Sequence, residues 1–484
     1  MEQGLRDRVA RGVAWSLAER IGTALVQMAV RIVLLNLLLP EDLGVVAILL
    51  AFATVALVVV DSGFSQTLIR GADPAASDFK SVFVFNLAVS LLLYGLLVAS
   101  SPWVARCYDM PLVASLAPLF YLVLPANALC VIQTTLFVRR FRFALLSKVT
   151  FAASVASGAV AVAMALAGCG IWSVAAQQVL MLLFRAALLW TLGDWRPSAP
   201  FDLGALRRMA PFSLRLMATD LIAALYNKIP QLFLGSMYAP RTLGYYDQAQ
   251  KLKELPLTST MSAVQSVVFP ALSRVRDDAP KLAESYRQVA MMTAFALFPV
   301  MLGLSAVAPD LFAALLAPKW RPTVPYLEAA CLVGLFYPVA MVAYNLLKVR
   351  SDGAIIVRLE VVKKLLLTAV FALTIPRSVM AVVWGLVLFA FLEMAINLCA
   401  AQRFTTLPFG RLVRTLLPVA LLSGAMYVAV RFTAAVMPGG PLLRLLCELA
   451  VGAAVYFALA AAFRLEAFRI ARSMLRAQLQ KGTR

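Results

Sequence analysis

Residues 43–60, which read LGVVAILLAFATVALVVV, decide the fold class, because Thr54 is the only polar side chain among them. As a helix rising about 1.5 Å per residue, such a stretch nearly crosses the ~30 Å hydrocarbon core of a bilayer. Similar stretches recur along the chain at 12–35, 43–64, 80–101, 113–138, 144–168, 170–192, 210–237, 243–269, 287–309, 323–347, 354–375, 379–401, 412–433 and 442–463. The runs are continuous rather than alternating, and lipid requires backbone hydrogen bonds within each segment. The sequence therefore predicts an all-α polytopic membrane protein with about 14 transmembrane helices.

The composition agrees with this class. Hydrophobic residues make up 62% of the 484 positions and charged residues 14%, whereas a soluble protein is about 45–50% apolar and about 25% charged. The mean hydropathy is +0.86. These values exclude a soluble, a disordered or a disulfide-rich secreted protein.

The distribution of positive charge predicts the orientation. The net charge is +20, and 28 of the 44 Lys and Arg lie in the segments that are cytoplasmic if the N-terminus is cytoplasmic, or at the span ends next to them. The opposite loops and their adjoining span ends hold 7, and the interiors of the spans hold 9. Because positive loops stay inside, both termini are predicted to be cytoplasmic. The excess charge then indicates anionic membrane lipids as partners, and no nucleic acid.

Several kinds of chemistry are excluded by what the chain lacks. It has no His, its six Cys are scattered without a C-x-x-C pair, and no nucleotide-binding motif is present. The longest loop between predicted spans has roughly 17 residues, too few for a folded catalytic domain. We therefore predict that the chain is not an enzyme and holds no metal and no cofactor, with H⁺ or Na⁺ left open as a coupling ion.

The two halves of the chain repeat one another. Three pairs of strings recur at offsets of 200, 212 and 211 residues: Pro40-x-x-Leu43-Gly44 with Pro240-x-x-Leu243-Gly244, Ile171-Trp172 with Val383-Trp384, and Val138-Arg139 with Val349-Arg350. Both copies of six spans begin on the same side, so the repeats are parallel, as in some transporters. The predicted domains are an N-lobe at 1–195, a linker at 196–209, a C-lobe at 210–403, two extra C-terminal helices at 404–464 and a basic cytoplasmic tail at 465–484.

Charged and amide side chains inside the spans are the candidate site, because a charge in lipid is costly unless it faces water or a partner. Positions 16, 20, 23, 27 and 31 follow helical spacing and form one polar stripe. The predicted substrate-binding residues are Arg20, Gln27, Arg31, Arg215, Asn227, Lys228 and Lys251. The predicted ion-coupling or gating residues are Glu19, Asp61, Asp220, Glu254 and Glu393. A cavity lined by Arg and Lys would attract a phosphate head group strongly in a low dielectric.

A structural role for these charges stays open. Lys251 and Glu254, and Glu360 with Lys363, are spaced to form ion pairs along one helix. Glu393 has no partner nearby in sequence, so it is either an ion or proton carrier or is paired across helices.

Several strings together resemble a known family. They are Asp61-Ser62-Gly63-Phe64-Ser65, Leu243-Gly244-Tyr245-Tyr246 followed by Leu255-Pro256, Phe269-Pro270-Ala271-Leu272-Ser273-Arg274, and Lys319-Trp320. In this order they resemble the polysaccharide transporter family, the Wzx-type oligosaccharide flippases similar to the colanic-acid exporter, within the multidrug/oligosaccharidyl-lipid/polysaccharide superfamily. The resemblance covers about residues 10–400. One departure is Pro230-Gln231, where the family often has an Asp-Asn-like pair.

The resemblance implies a flippase in the bacterial inner membrane. Its substrate would be an undecaprenyl-diphosphate-linked oligosaccharide, moved to the outer leaflet by alternating access coupled to an ion gradient. Other membrane proteins of polysaccharide assembly are a further expected class of partner. Two alternatives remain: an ion-coupled multidrug-type exporter with the same architecture, and a polysaccharide polymerase, for which the short loops leave little room.

Overall fold

The computed structural model describes residues 22–71, 73–351 and 354–473, and in this part of the chain it is helical without strands. The helices are α1 (Gly22–Leu37), α2 (Pro40–Asp61), α3 (Phe64–Arg70), α4 (Ala76–Cys107), α5 (Pro111–Phe120), α6 (Val123–Arg139), α7 (Phe143–Leu166), α8 (Trp172–Leu192), α9 (Leu203–Met237), α10 (Pro240–Arg274), α11 (Ala279–Leu315), α12 (Val324–Cys331), α13 (Val333–Arg350), α14 (Ala354–Thr374), α15 (Val379–Ala401), α16 (Phe409–Val436) and α17 (Pro441–Ala462). A 3-10 helix at Pro318–Thr323 precedes α12. The predicted all-α polytopic fold is confirmed.

The helices follow the order of the predicted spans. Ten helical segments of the described chain are long and apolar enough to cross a membrane. The first, seventh, eighth and eleventh predicted spans are occupied by α1, α9, α10 and α14, which are shorter or carry more charge. The number of helices is thus compatible with fourteen spans. α9 begins at Leu203, inside the predicted linker 196–209, so the seventh span starts earlier than its apolar run.

Contacts divide the chain into two compact units, Met1–Gly244 and Tyr245–Arg484. In unit 1, α9 packs against α2, α3 and α4, and α7 packs against α8. In unit 2, α11 is central and packs against α13, α16 and α17. The finer domain boundaries given above stay predictions.

In the described part of each unit, a span is interrupted in its middle. In unit 1 the fourth span is divided into α5 and α6 at Tyr121 and Leu122, between Pro118 and Pro125. In unit 2 the tenth span is divided into α12 and α13 at Leu332. The two interruptions are separated by the same sequence offset as the repeated Val-Arg pair, so the repeat is visible in the backbone as well as in the sequence.

The repeated arginines make equivalent contacts. Arg139 at the end of α6 donates to the carbonyl oxygens of Leu68 and Gly71, the second at 2.7 Å, where α3 ends. Arg350 at the end of α13 donates to the carbonyl of Arg276, just after α10, at 3.0 Å. Both side chains therefore satisfy carbonyls near a helix C-terminus that lack partners within the helix.

The repeated Pro-x-x-Leu-Gly strings pack against each other. A Cβ added to Gly44 would lie 2.0 Å from the carbonyl oxygen of Pro240, and one added to Gly244 would lie 2.0 Å from that of Pro40. Beside them, Glu41 and Arg241 form an ion pair at 3.5 Å. The first turns of α2 and α10 thus approach more closely than any residue with a Cβ would allow, which explains the glycine in both copies.

Candidate substrate and coupling sites

The Asp-x-Gly-Phe-Ser string forms the turn that separates α2 from α3. Ser62 and Gly63 have positive φ, 49° and 69°, and Ser65 donates a hydrogen bond to the Asp61 carboxylate. A Cβ on Gly63 would lie 2.6 Å from the carbonyl oxygen of Ser213 in α9. Phe64 is buried. The motif therefore bends the second span and allows it to approach α9.

A hydroxyl pair continues the contact between α3 and α9. The Thr67 and Ser213 hydroxyl oxygens are 2.7 Å apart, and Ser213 is fully buried. The Arg70 guanidinium lies 4.7 Å from the centre of the Phe212 ring, a cation–π contact. Asp61 is thus held at this junction by its own turn, and the Asp220 carboxylate of α9 is close enough to interact with it electrostatically.

The predicted residues of α9 do not all share one face. At about 100° per residue, Asp220 and Asn227 point the same way, Lys228 lies about 80–100° to one side, and Arg215 about 120–140° to the other. Arg215, Asp220 and Asn227 are exposed on unit 1, and Lys228 is half-buried. The helix brings Asp220, Asn227 and Lys228 together near its middle and places Arg215 apart from them.

The polar stripe of α1 is present where the structure describes it. Thr23, Gln27 and Arg31 follow one another at four-residue spacing on a single face. Gln27 is exposed, and its amide nitrogen is 3.9 Å from the sulfur of Met181. The predicted residues Glu19 and Arg20 lie outside the described residues.

In α10, Lys251 pairs with Asp247. Its ammonium nitrogen is 2.6 Å from the Asp247 carboxylate, one turn earlier, and Glu254 is exposed. The buried Lys253 donates to Gln250 at 2.5 Å. Lys253 is not among the residues predicted from the sequence, and its place between the charged positions 251 and 254 is the signal that could have marked it.

Glu393 is paired across helices. Its carboxylate lies 3.3 Å from the Lys363 ammonium of α14, which also contacts Glu360 at 2.5 Å. The Tyr344 ring of α13 covers the same ammonium at 4.8 Å, and the Lys363 side chain is only 5% exposed. This arrangement satisfies one buried cation with two carboxylates and an aromatic face, which suits a structural ion pair.

Two of the strings that carry the family resemblance meet inside unit 2. The rings of Tyr245 and Trp320 pack edge to face, with centres 6.1 Å apart, and Trp320 is fully buried. The Leu-Gly-Tyr-Tyr and Lys-Trp strings therefore belong to one packing contact. Their role is to position the start of α10 against the 3-10 helix before α12.

Hollows are present in the described part of unit 2. One, of about 540 Å³, is lined by residues of α11, α12, α15 and α16 that include Ser305, Glu328, Trp384 and Tyr427. Another, of about 780 Å³, lies between α16 and α17, and Arg414 is the charged residue in its otherwise apolar lining. Arg431 of α16 pairs with Glu328 at 3.3 Å, and it also acts electrostatically on the buried Glu448 of α17. The sequence signal for Glu448 is its four-residue spacing from Arg444, whereas Asp310 follows a proline and reads as part of a loop.

Charged helix faces within a bundle of apolar membrane helices define a multi-pass membrane transporter. The sequence profile of the family described as "Polysaccharide biosynthesis protein" matches residues 33–325, more than half of the chain, so this chain belongs to that family. The predicted family membership is confirmed, as is the prediction that the chain is a transport protein and not an enzyme.

The chain is similar to several named proteins. It is 26% identical over 325 residues to the succinoglycan biosynthesis transport protein ExoT of Rhizobium meliloti, which covers 67% of this chain and 66% of ExoT. It is 22% identical to the lipopolysaccharide biosynthesis protein WzxC of Escherichia coli, over 75% of this chain and 74% of WzxC. Among solved structures, the lipid II flippase MurJ in an inward closed conformation superposes with a TM-score of 0.71 at 14% identity, over 94% of this chain and 98% of MurJ. At this identity the MurJ match shows a shared fold.

Proposed function

We propose that this protein moves a polyprenyl-diphosphate-linked oligosaccharide, of the undecaprenyl type, from the inner to the outer leaflet of a bacterial inner membrane. The observation that carries the proposal is the placement of Asp220, Asn227 and Lys228 in the middle of α9, where none of them is buried within unit 1. Ionisable side chains at that depth need water or a partner. A face of this kind suits an aqueous passage that accepts sugars and a phosphate group.

The cations on this path match the charged part of such a substrate. α1 contributes Arg31 and α9 contributes Lys228, and among the described residues of unit 1 Lys228 has no ion pair within 4.0 Å. A charge-assisted hydrogen bond to a phosphate oxygen contributes about 1.5–3 kcal/mol. Arg20, one turn before Thr23, would extend the same stripe, and Arg215 would act at a separate position.

The apolar part of the substrate has a matching surface in unit 2. The hollow between α16 and α17 is lined by side chains such as Leu417, Leu421 and Phe463, with Arg414 beside them. This apolar lining suits a prenyl chain. The relatives support the class, since one is a transport protein for succinoglycan biosynthesis and another a lipopolysaccharide biosynthesis protein.

A leaflet-specific assay tests the proposal. Purified protein in vesicles is given an undecaprenyl-diphosphate-linked oligosaccharide, and the fraction reaching the opposite leaflet is measured with and without an imposed H⁺ or Na⁺ gradient. Arg31→Ala and Lys228→Ala are expected to lower the rate about ten- to a hundredfold, from the energy of one phosphate contact at 1.4 kcal/mol per decade. Arg106→Ala removes an exposed arginine at the end of α4 and serves as the matched control.

Two results would contradict the proposal. Unchanged rates in both variants would remove these residues from the substrate path. Absence of translocation by the wild-type protein, together with export of small cationic drugs in a resistance screen, would favour the multidrug-type alternative.

A further inference from the structure

Unit 2 contains a group of five ionisable side chains where α11, α12, α16 and α17 meet. This carboxyl cluster consists of Asp310, Glu328, Arg431, Arg444 and Glu448. Arg444 lies 3.4 Å from the Asp310 carboxylate, and Arg431 lies 3.3 Å from that of Glu328. None of the five belongs to the site predicted from the sequence.

Glu448 is the most enclosed member of the carboxyl cluster. It is 1% exposed, and within the described chain neither of its carboxyl oxygens receives a hydrogen bond from a donor. The Asp310 carboxyl of α11, itself 8% exposed, is close enough to interact with it, as are the guanidinium groups of Arg431 and Arg444. An ionised carboxylate buried without donors costs several kcal/mol. Two carboxyl groups that face each other can form a hydrogen bond only when one of them holds a proton.

The charge count of the cluster also indicates that it holds one proton. Three carboxyl groups face two guanidinium groups, so the ionised cluster has one unbalanced negative charge. The charged groups acting on Glu448 are Asp310 from α11, Arg431 from α16 and Arg444 from its own helix, and α11 and α16 are the helices that pack against α17. One proton balances the charge. A metal cation is a poor alternative beside two guanidinium groups, and no group of potential metal ligands is found among the described residues.

The cluster has a route to water. Glu328, whose side chain is 32% exposed, lines the hollow of about 540 Å³ together with Ser305 and Tyr427. Arg431, which pairs with Glu328, also acts electrostatically on Glu448. Because a guanidinium keeps its proton, a proton leaving the pair would pass it by way of water to Glu328, which lines a cavity large enough for several waters.

We propose that Asp310 and Glu448 form a proton-binding carboxyl pair, which holds one proton at neutral pH and exchanges it through the cavity beside Glu328. The claim that the pair binds a proton depends only on this geometry. The further claim that the pair releases and rebinds the proton during the transport cycle rests on the proposed function above.

Infrared spectroscopy of the purified full-length protein tests the proton directly. At pH 7 the wild type is expected to show the carbonyl band of a protonated carboxylic acid, shifted on exchange into heavy water. Glu448→Gln and Asp310→Asn are each expected to lose this band, because the remaining carboxylate can ionise beside Arg444. Asp194→Asn, a change of an exposed carboxylate on the other unit, should retain it. A wild type without the band, or a band unaltered in both variants, would overturn the proton site.

A transport measurement separates the coupling role from the proposed function. The ratio of leaflet translocation with and without a pH gradient should exceed one in the wild type and fall to about one in Glu448→Gln. A ratio above one that persists in both Glu448→Gln and Asp310→Asn would overturn the coupling role. If the wild type translocates no lipid-linked sugar, the proposed function fails, and the infrared result still decides whether the proton site exists.

Discussion

The reciprocal glycine contact between α2 and α10 makes a quantitative prediction. A methyl group at position 44 would lie 2.0 Å from the carbonyl oxygen of Pro240, a backbone atom that no rotamer change can move. The two helices would have to separate by about 1 Å or more, and overpacking of this kind costs about 1–3 kcal/mol. We expect Gly44→Ala to lower the stability by that amount, and Gly244→Ala to do the same through Pro40.

The two substitutions should not add. Once one methyl group has pushed the helices apart, the second methyl group fits into the gap. The loss of stability in the double variant should therefore be clearly smaller than the sum of the losses in the two single variants. Gly95→Ala is the matched control, because nothing lies within 4 Å of its added Cβ in α4. The alanine lowers the conformational entropy of the unfolded chain, so we expect Gly95→Ala to raise the stability by about 0.5–1 kcal/mol.

Cysteine exposure on heating provides the assay. Cys130 and Cys331 are buried, whereas Cys107, Cys169 and Cys399 are exposed. Once the accessible thiols have been blocked in the folded protein, a thiol-reactive fluorophore reports the exposure of the buried pair as the protein unfolds in detergent. Gly44→Ala and Gly244→Ala should lower the apparent melting temperature, and Gly95→Ala should leave it equal or higher. If Gly44→Ala melts at the wild-type temperature, or if the double variant is fully additive, the reasoning about a shared backbone contact is wrong.

Three further changes have defined expected outcomes. Lys363→Met should lower the apparent melting temperature strongly, because it leaves two carboxylates without their buried cation at a cost of about 3–5 kcal/mol; pairing it with neutral replacements of both carboxylates should recover most of the loss. Gly63→Ala should cost about 1–3 kcal/mol in the same thermal assay, because φ is 69° and the added methyl would press on the Ser213 carbonyl. The hydrogen bond from the Lys281 ammonium lowers the pKa of Asp278, so its stabilising effect is present above the ordinary value of 3.8 and is lost as the pH falls through the lowered pKa. The melting temperatures of wild type and Asp278→Asn should therefore converge in acid, and a difference that persists there would contradict this assignment.

The class, order and repeat of the helices could be predicted from the sequence, because lipid imposes length and apolarity on each span. The positions where spans are interrupted could be predicted only in part. The break at Tyr121 and Leu122 lies between Pro118 and Pro125, which are helix-breaking residues. Leu332 lies in an apolar run with only Gly334 as a nearby signal, so the break between α12 and α13 depends more on tertiary packing. The turn after Asp61 is different, since its glycine and serine are recognisable turn residues.

Side-chain partners were less predictable than helices. Helical spacing allowed Lys251 to pair with a carboxylate on either side, and Asp247 is the partner that the structure shows. The pairing of Glu393 with Lys363 spans two helices, and their separation in sequence carries no signal of it. The pair of Asp310 and Glu448 was missed for the same reason, since contact between distant helices depends on the packing of the whole unit.

Hydropathy identifies membrane spans least well in the helices that carry charged residues. The candidate site lies on these less apolar helices, because its residues are the charged ones. α9, α10 and α14 do not appear among the segments that qualify as spans by apolarity. A helix that crosses lipid with such charges needs a face turned to protein or to water. In α14 the charge of Lys363 is satisfied inside unit 2, because the carboxylates of Glu360 and Glu393 and the Tyr344 ring surround its ammonium group. In α9, Asp220 and Asn227 remain exposed on unit 1. We propose that water or substrate supplies the hydrogen bonds and charges that these side chains require. The charges of this protein therefore fall into two groups. Those that are satisfied inside their own unit are structural, and those that are not are the ones that we propose to act in transport.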